Sequence, residues 1–229
     1  MEKTILLIDD NKEPKGVLDN IKSHLSQKES ITLNANYIDP NDREYWNEEK
    51  DPDLDKLIVG IKNKLKSMKP NLIIVDQYYG GNDKFVGIDV IQKLRDIPKF
   101  QKCSFFLYSG NRNKIVREIF EAKELDENAK IKNLAKLIDL RIEKFLDKEF
   151  KDEAIKVLKR TSLNDILPTK LRNYEGENAL INSFSPKYKT LSFSELADKI
   201  DGDAPEARQI LDEMFGLTLS HYADINEKI

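Results

Sequence analysis

The chain has 229 residues, 39% of them apolar and 34% charged, with a formal net charge of −3. That is enough for one large domain plus a smaller appendage, and its content of Ile, Leu and Phe excludes a disordered chain. The acidic total argues against an extended electrostatic footprint on nucleic acid, and a single cysteine, Cys103, excludes an intramolecular disulfide or a thiolate metal cage.

Short runs rich in Ile, Val and Phe alternate with helical patterns, which predicts βα units and a parallel sheet. Lys3 to Ile8 (KTILLI) reads as a fully buried strand, and Pro14 to Ser26 follows with Val17, Leu18, Ile21 and Leu25 at helical spacing. Ile31 to Ile38 (ITLNANYI) alternates as an edge strand does, and Leu54 to Met68 carries Leu54, Leu57, Ile58, Ile61 and Leu65 on one helical stripe. Between them, residues 39–53 hold two Asp-Pro pairs and dense charge, the mark of an exposed loop, with Tyr45 and Trp46 able to dock on the body or on a partner.

Asn71 to Val75 (NLIIV) predicts a third buried strand, ended by Asp76. A helix over Ile88 to Arg95 and a fourth strand over Cys103 to Tyr108 (CSFFLY) come next. Residues 112–137 read as one interrupted or two consecutive helices, longer than the usual crossover, ahead of a short fifth strand around Arg141 to Leu146 and a helix from Asp152. Past Arg160 the pattern changes. Residues 161–189 carry Pro168, Gly176 and Pro186 and read as a linker or irregular segment, and residues 190–229 as a small helical region.

In an open parallel sheet the ligand site lies beyond the carboxyl ends of the strands, so the polar residues there should converge. They are Asp9 and Asp10 after strand one, Asp76 after strand three, Ser109 after strand four and Lys148 after strand five. Three convergent carboxylates repel one another unless a hard, oxygen-seeking divalent cation joins them, and magnesium suits a site that also admits phosphate oxygens. A carboxylate there can act as a nucleophile. Each residue alone has a plainer reading, as helix cap, turn former or solvated charge. Their combination, one chemical type per strand end in order, is what singles them out. His24 and His221 stand without ligand-spaced partners and receive no role.

The segments ILLIDDN, LIIVDQ, FFLYSG and KFLDKEF resemble the response-regulator receiver (CheY-like) domain over roughly residues 1–160. The resemblance implies a flavodoxin-like, doubly wound α/β fold, a five-stranded parallel sheet of order 2-1-3-4-5. Residues 39–53 would then be an insertion and residues 112–140 a lengthened segment. It further implies that Asp76 is the phosphoacceptor and that Asp9, Asp10, Asp76 and the main-chain carbonyl of Tyr78 hold Mg2+. Ser109 and Lys148 would contact the phosphoryl oxygens, Gly110 would leave room for them, and Phe145 would be the aromatic switch. Where the family carries proline after the lysine, this chain has Glu149.

The implied role is two-component or phosphorelay signalling in the cytoplasm, with a histidine kinase or phosphotransfer protein as donor and no enzymatic activity beyond magnesium-dependent self-phosphorylation and dephosphorylation. An aspartyl-phosphate hydrolase would need a D-x-D arrangement, which neither IDDNKE nor VDQYYG supplies. The tail segment Leu191 to Gly216 superficially resembles a helix-turn-helix, so a DNA-binding regulator is an alternative. Residues 185–229, however, hold five basic residues against nine acidic, a net −4, which disfavours phosphate contacts. Output through a protein effector or a homodimer is the expectation, with a degenerate receiver acting as a docking module as the further alternative.

Overall fold

The computed structural model describes residues 1–66, 68–110, 138–147, 149–160, 163–173, 191–201 and 206–226, with single positions at 113, 128, 131, 135 and 188. The chain divides into two compact units, Met1–Lys159 and Arg160–Ile229.

In the first unit the strands are β1 (Glu2–Ile8), β2 (Thr32–Ile38), β3 (Leu72–Asp76), β4 (Ser104–Tyr108) and β5 (Lys144–Leu146), all parallel, in the order β2-β1-β3-β4-β5. This is the flavodoxin-like, CheY-like doubly wound arrangement expected from the sequence, and its chain reversal falls between β1 and β3. Helices α1 (Glu13–Glu29), α2 (Leu54–Leu65), α3 (Gly87–Arg95) and α4 (Lys151–Leu158) flank the sheet.

The two-residue period of a strand splits each continuous apolar run between two cores. Leu6, Ile8, Ile73, Val75, Phe105 and Leu107 face one side with Leu57, Ile61, Val90, Ile91 and Leu94 of α2 and α3. Ile5, Leu7, Leu72, Ile74, Phe106 and Tyr108 face the other with Leu18, Ile21 and Leu25 of α1 and Ala154 and Leu158 of α4.

Element ends depart from the apolar spacing where capping intervenes. The last buried residue of α1 is Leu25, yet the helix runs to Glu29 and closes at Ser30, whose left-handed backbone (φ 53°) returns its N–H to the Leu25 carbonyl. Helix α2 starts on Asp53, whose carboxylate accepts the Lys56 N–H at 3.1 Å, and stops at Leu65 rather than Met68 because Lys66 turns to φ 41°.

The segment read as an exposed loop is partly core. A short 3₁₀ turn over Arg43–Tyr45 brings the Tyr45 ring down onto Gly60 of α2, and Tyr45 is buried with the α2–α3 side chains. A Cβ on residue 60 would lie 2.2 Å from that ring, so the glycine makes the room. Trp46 is half-buried; its Nε1 donates to the Asn41 carbonyl at 3.0 Å and its own carbonyl accepts Lys56 Nζ at 2.7 Å.

The second unit contains α5 (Leu163–Arg172), α6 (Phe193–Asp201) and α7 (Ala207–Asn226). The segment 161–189 therefore includes a helix where an irregular linker was expected, despite Pro168 inside it. Packing explains this: Leu171 and Tyr188 share a core with Leu196, Ala197, Ile200 and Ile210, and Arg172 pairs with Asp198 at 2.7 Å. A capping box starts α6, with Glu195 accepting from the Ser192 N–H at 2.7 Å and the Ser192 hydroxyl accepting from the Glu195 N–H at 3.2 Å. Among the described residues no helix is long and apolar enough to cross a membrane.

Candidate functional site

Because β1 and β3 are neighbours in register, with Ile8 beside Val75, the residues that follow them arrive side by side at one sheet edge. Asp9, Asp10 and Asp76 each offer a carboxylate oxygen there, all within 4.8 Å of one another. Asp9 is buried, while Asp10 and Asp76 are half-buried.

Each carboxylate is oriented by its own donors. Asp9 Oδ1 accepts the Asn11 N–H at 2.7 Å, and its Oδ2 accepts the Tyr108 hydroxyl. Asp10 Oδ1 accepts Asn11 Nδ2 at 3.0 Å, and its Oδ2 accepts the Gly80 N–H at 2.5 Å. The backbone N–H groups of Tyr78 and Gln77 lie beside the Asp76 carboxylate and favour its charged form.

Burial pushes the Asp9 carboxyl up to about 6, with the Asn11 N–H opposing and the charge of Asp10 adding to it. Burial, then the charge of Asp9, pushes Asp76 up to about 7, opposed by its two backbone donors. Such a cluster resists carrying its full negative charge alone. It fits a divalent cation of oxygen preference, since three hard donors already converge and two of them gain from neutralisation.

The turn after β3 is built around this edge. Gln77 is buried; its N–H donates to the Tyr108 carbonyl at 2.9 Å, and its side-chain oxygen accepts the Ile88 N–H at 3.2 Å, capping α3. Gly87 opens α3 directly against the backbone of Asp76: a Cβ there would lie 2.2 Å from the Asp76 carbonyl oxygen. Residues 39–53 are tied to the same turn at two points, Asn41 Nδ2 to the Gly80 carbonyl at 2.8 Å and Asp51 to Lys84 at 3.1 Å.

Ser109 follows β4 at this edge and is buried, its N–H donating to the Leu146 carbonyl at 3.1 Å. Phe145 lies in β5 beside Leu107, half-buried against the α2–α3 core. Tyr78 stands half-buried in the turn two residues past Asp76. Lys148 lies outside the described residues, as does most of the segment 112–137.

Sequence reading singled out the acids and missed their holders. Tyr108, Asn11, Gln77 and Gly80 read as core aromatic, turn or loop residues. The one available signal was their adjacency to strand ends that carry the acids.

No family model matches the chain, and no curated protein sequence matches it. Solved structures similar to it include receiver domains and response regulators. The phosphorylated cyanobacterial phytochrome response regulator RcpA is 13% identical with a TM-score of 0.38, the likeness covering 69% of this chain and 90% of that one. The Mn(2+)-bound form of response regulator Rcp1 is 16% identical with a TM-score of 0.37, over 69% of this chain and 89% of that one. RcsB from Salmonella enterica serovar Typhimurium, bound to promoter rprA in the presence of the phosphomimetic BeF3−, is 16% identical with a TM-score of 0.40, over 92% and 91%. Likenesses at such values add no weight. The strand order and the acidic edge at its reversal point give residues 1–159 a CheY-like doubly wound fold with three carboxylates gathered at its switch point.

Proposed function

We propose that this chain is a phosphorylation-controlled signalling protein in which Asp76 accepts a phosphoryl group beside a divalent cation. The observation that supports it best is the convergence of Asp9, Asp10 and Asp76 within 4.8 Å at the sheet reversal. Asp9, Asp10, Asp76 and the main-chain carbonyl of Tyr78 would hold Mg2+, whose chemistry there is neutralisation of the carboxylate and phosphoryl charge.

The residues of the chain divide the remaining work. The Tyr78 and Gln77 N–H groups beside Asp76 favour its carboxylate form. An Asp76 carboxylate oxygen attacks phosphorus, and the aspartyl P–O bond forms as the donor's P–N or P–O bond breaks, the leaving group taking that bond's electron pair. The Ser109 hydroxyl and Lys148 contact the transferred oxygens, and Phe145 responds to that contact. The chain so read catalyses only its own phosphorylation and dephosphorylation.

The donor is a histidine kinase or phosphotransfer protein of the cytoplasm, or a small phosphodonor in its place. Output runs through the second unit to a protein effector or a second copy. Its acidic balance and the acidic residues around Arg208 and Gln209 support protein contact over DNA.

Incubation of the full chain with Mg2+ and acetyl phosphate, followed by intact mass, tests the reading. Wild type gains the mass of one phosphoryl group, while Asp76→Asn and wild type in EDTA gain none. Equal gain by Asp76→Asn refutes the assignment of Asp76, and no gain by wild type over a magnesium titration leaves the fold a docking role.

A further inference from the structure

Tyr108 is the last residue of β4 and Asp9 follows the end of β1, with β3 lying between the two strands. Neighbouring strands are about 4.8 Å apart, so these two lie about 10 Å from each other, a gap that a long, rigid side chain with a polar tip can cross. The Tyr108 hydroxyl does so, donating to Asp9 Oδ2. Both residues are buried, Tyr108 at 4% and Asp9 at 1% exposure.

We infer that Tyr108 is a positioning residue of the acidic cluster, locking the Asp9 carboxylate in the orientation in which it faces Asp10, Asp76 and a shared cation. The inference rests on the cation-assisted reading above and adds to it a residue outside the convergent strand-end set. A buried phenol needs some acceptor, and a backbone carbonyl would serve. Here the acceptor is one of the three carboxylates of the candidate cation site.

With Asn11 N–H on Oδ1 and Tyr108 on Oδ2, the Asp9 carboxylate is held at both oxygens and cannot swing away. The phenol is itself held. Its ring packs on Phe150, just ahead of α4, with centroids 5.2 Å apart and planes tilted by 55°. A hydrogen-bond partner that orients a metal ligand typically changes metal affinity by about 10- to 100-fold when removed.

The test uses Mn2+ as the probe on the full chain, free ion being counted by electron paramagnetic resonance and bound ion displaced with Mg2+. Tyr108→Phe keeps the ring and its contact with Phe150 and removes only the hydroxyl; Phe150→Leu does the converse. The inference expects Tyr108→Phe to fold and to bind Mn2+ about tenfold more weakly, and Phe150→Leu to melt earlier while binding within about twofold of wild type.

Equal binding by wild type and Tyr108→Phe overturns the inference and leaves the function proposed above intact. Equal weakening by Phe150→Leu overturns it too, because the effect then comes from packing. A Tyr108→Phe chain without far-UV circular dichroism assigns the hydroxyl a purely structural role and also overturns it. A folded wild type that binds no Mn2+ overturns the cation-assisted function and this inference together.

Discussion

Replacing Asp76 with asparagine should stabilise the cation-free protein, increasingly so as pH rises from about 4 to about 7. The Asp76 carboxyl is pushed from 3.8 to about 7, a rise of roughly 3 units. Below about pH 4 the group is protonated in both folded and unfolded chains and carries no penalty. Between the two values the folded state binds the extra proton, so stability falls as pH rises, and above pH 7 the whole penalty is present. At 1.36 kcal/mol per unit the ceiling is about 4 kcal/mol. Asp76 is half-buried, and solvent screening reduces this to about 1–2 kcal/mol, or about 2–8 °C in melting temperature for a unit of this size. Asparagine keeps the shape and a side-chain oxygen at this position while the charge is lost. Thermal unfolding followed by far-UV circular dichroism in EDTA should place Asp76→Asn above wild type at pH 8 and level with it near pH 3. Saturating Mg2+ at pH 8 should raise wild type and leave the variant almost unmoved. A variant no more stable than wild type at pH 8, or one with the same gain at both pH values, would refute the charge argument.

Gly87→Ala should destabilise the first unit by about 2–3 kcal/mol, since the added methyl meets only backbone, the Asp76 carbonyl carbon at 2.9 Å and Gln77 Cα at 3.0 Å in addition to the carbonyl oxygen. Urea unfolding measures this, and a change below about 0.5 kcal/mol would mean the α3 start is not wedged against β3. Arg95→Lys should cost about 2 kcal/mol in the same assay. The guanidinium donates to the carbonyls of Leu140 at 2.9 Å, Arg141 at 3.0 Å, Gln101 at 2.6 Å and Cys103 at 3.3 Å while lying 4.3 Å from the Phe105 ring centroid, which a lysine cannot reproduce. Stability equal to wild type would show that this clamp between α3 and the approach to β5 contributes nothing.

The sheet was legible because parallel strands covered on both faces must be apolar throughout, so KTILLI, NLIIV and CSFFLY announce themselves without tertiary information. The acids were legible for a related reason: ligand sites of such sheets lie past the strand ends, where a run of Ile and Val breaks at Asp9 or Asp76. Charge and proline mark residues 39–53 as a loop and leave open whether Tyr45 docks on the body or on a partner; its burial depends on a missing Cβ at Gly60, in a helix that follows the loop. The helix Leu163–Arg172 was hidden by Pro168, whose local cost is outweighed by a core shared with residues more than twenty positions away.

By itself, then, the order of apolar runs and the residue types ending them determined the α/β class and the candidate acids. The tertiary structure decided how those acids are held. Tyr108 reads in sequence as one more core aromatic at the end of CSFFLY, and it reaches Asp9 only because β1 and β4 flank β3 in the folded sheet. Asn41 likewise meets Gly80 only across the sheet edge. Hydrophobic periodicity is a property of neighbours in the chain, whereas the orientation of a carboxylate is set by donors that the strand order brings in from 70 or 99 residues away.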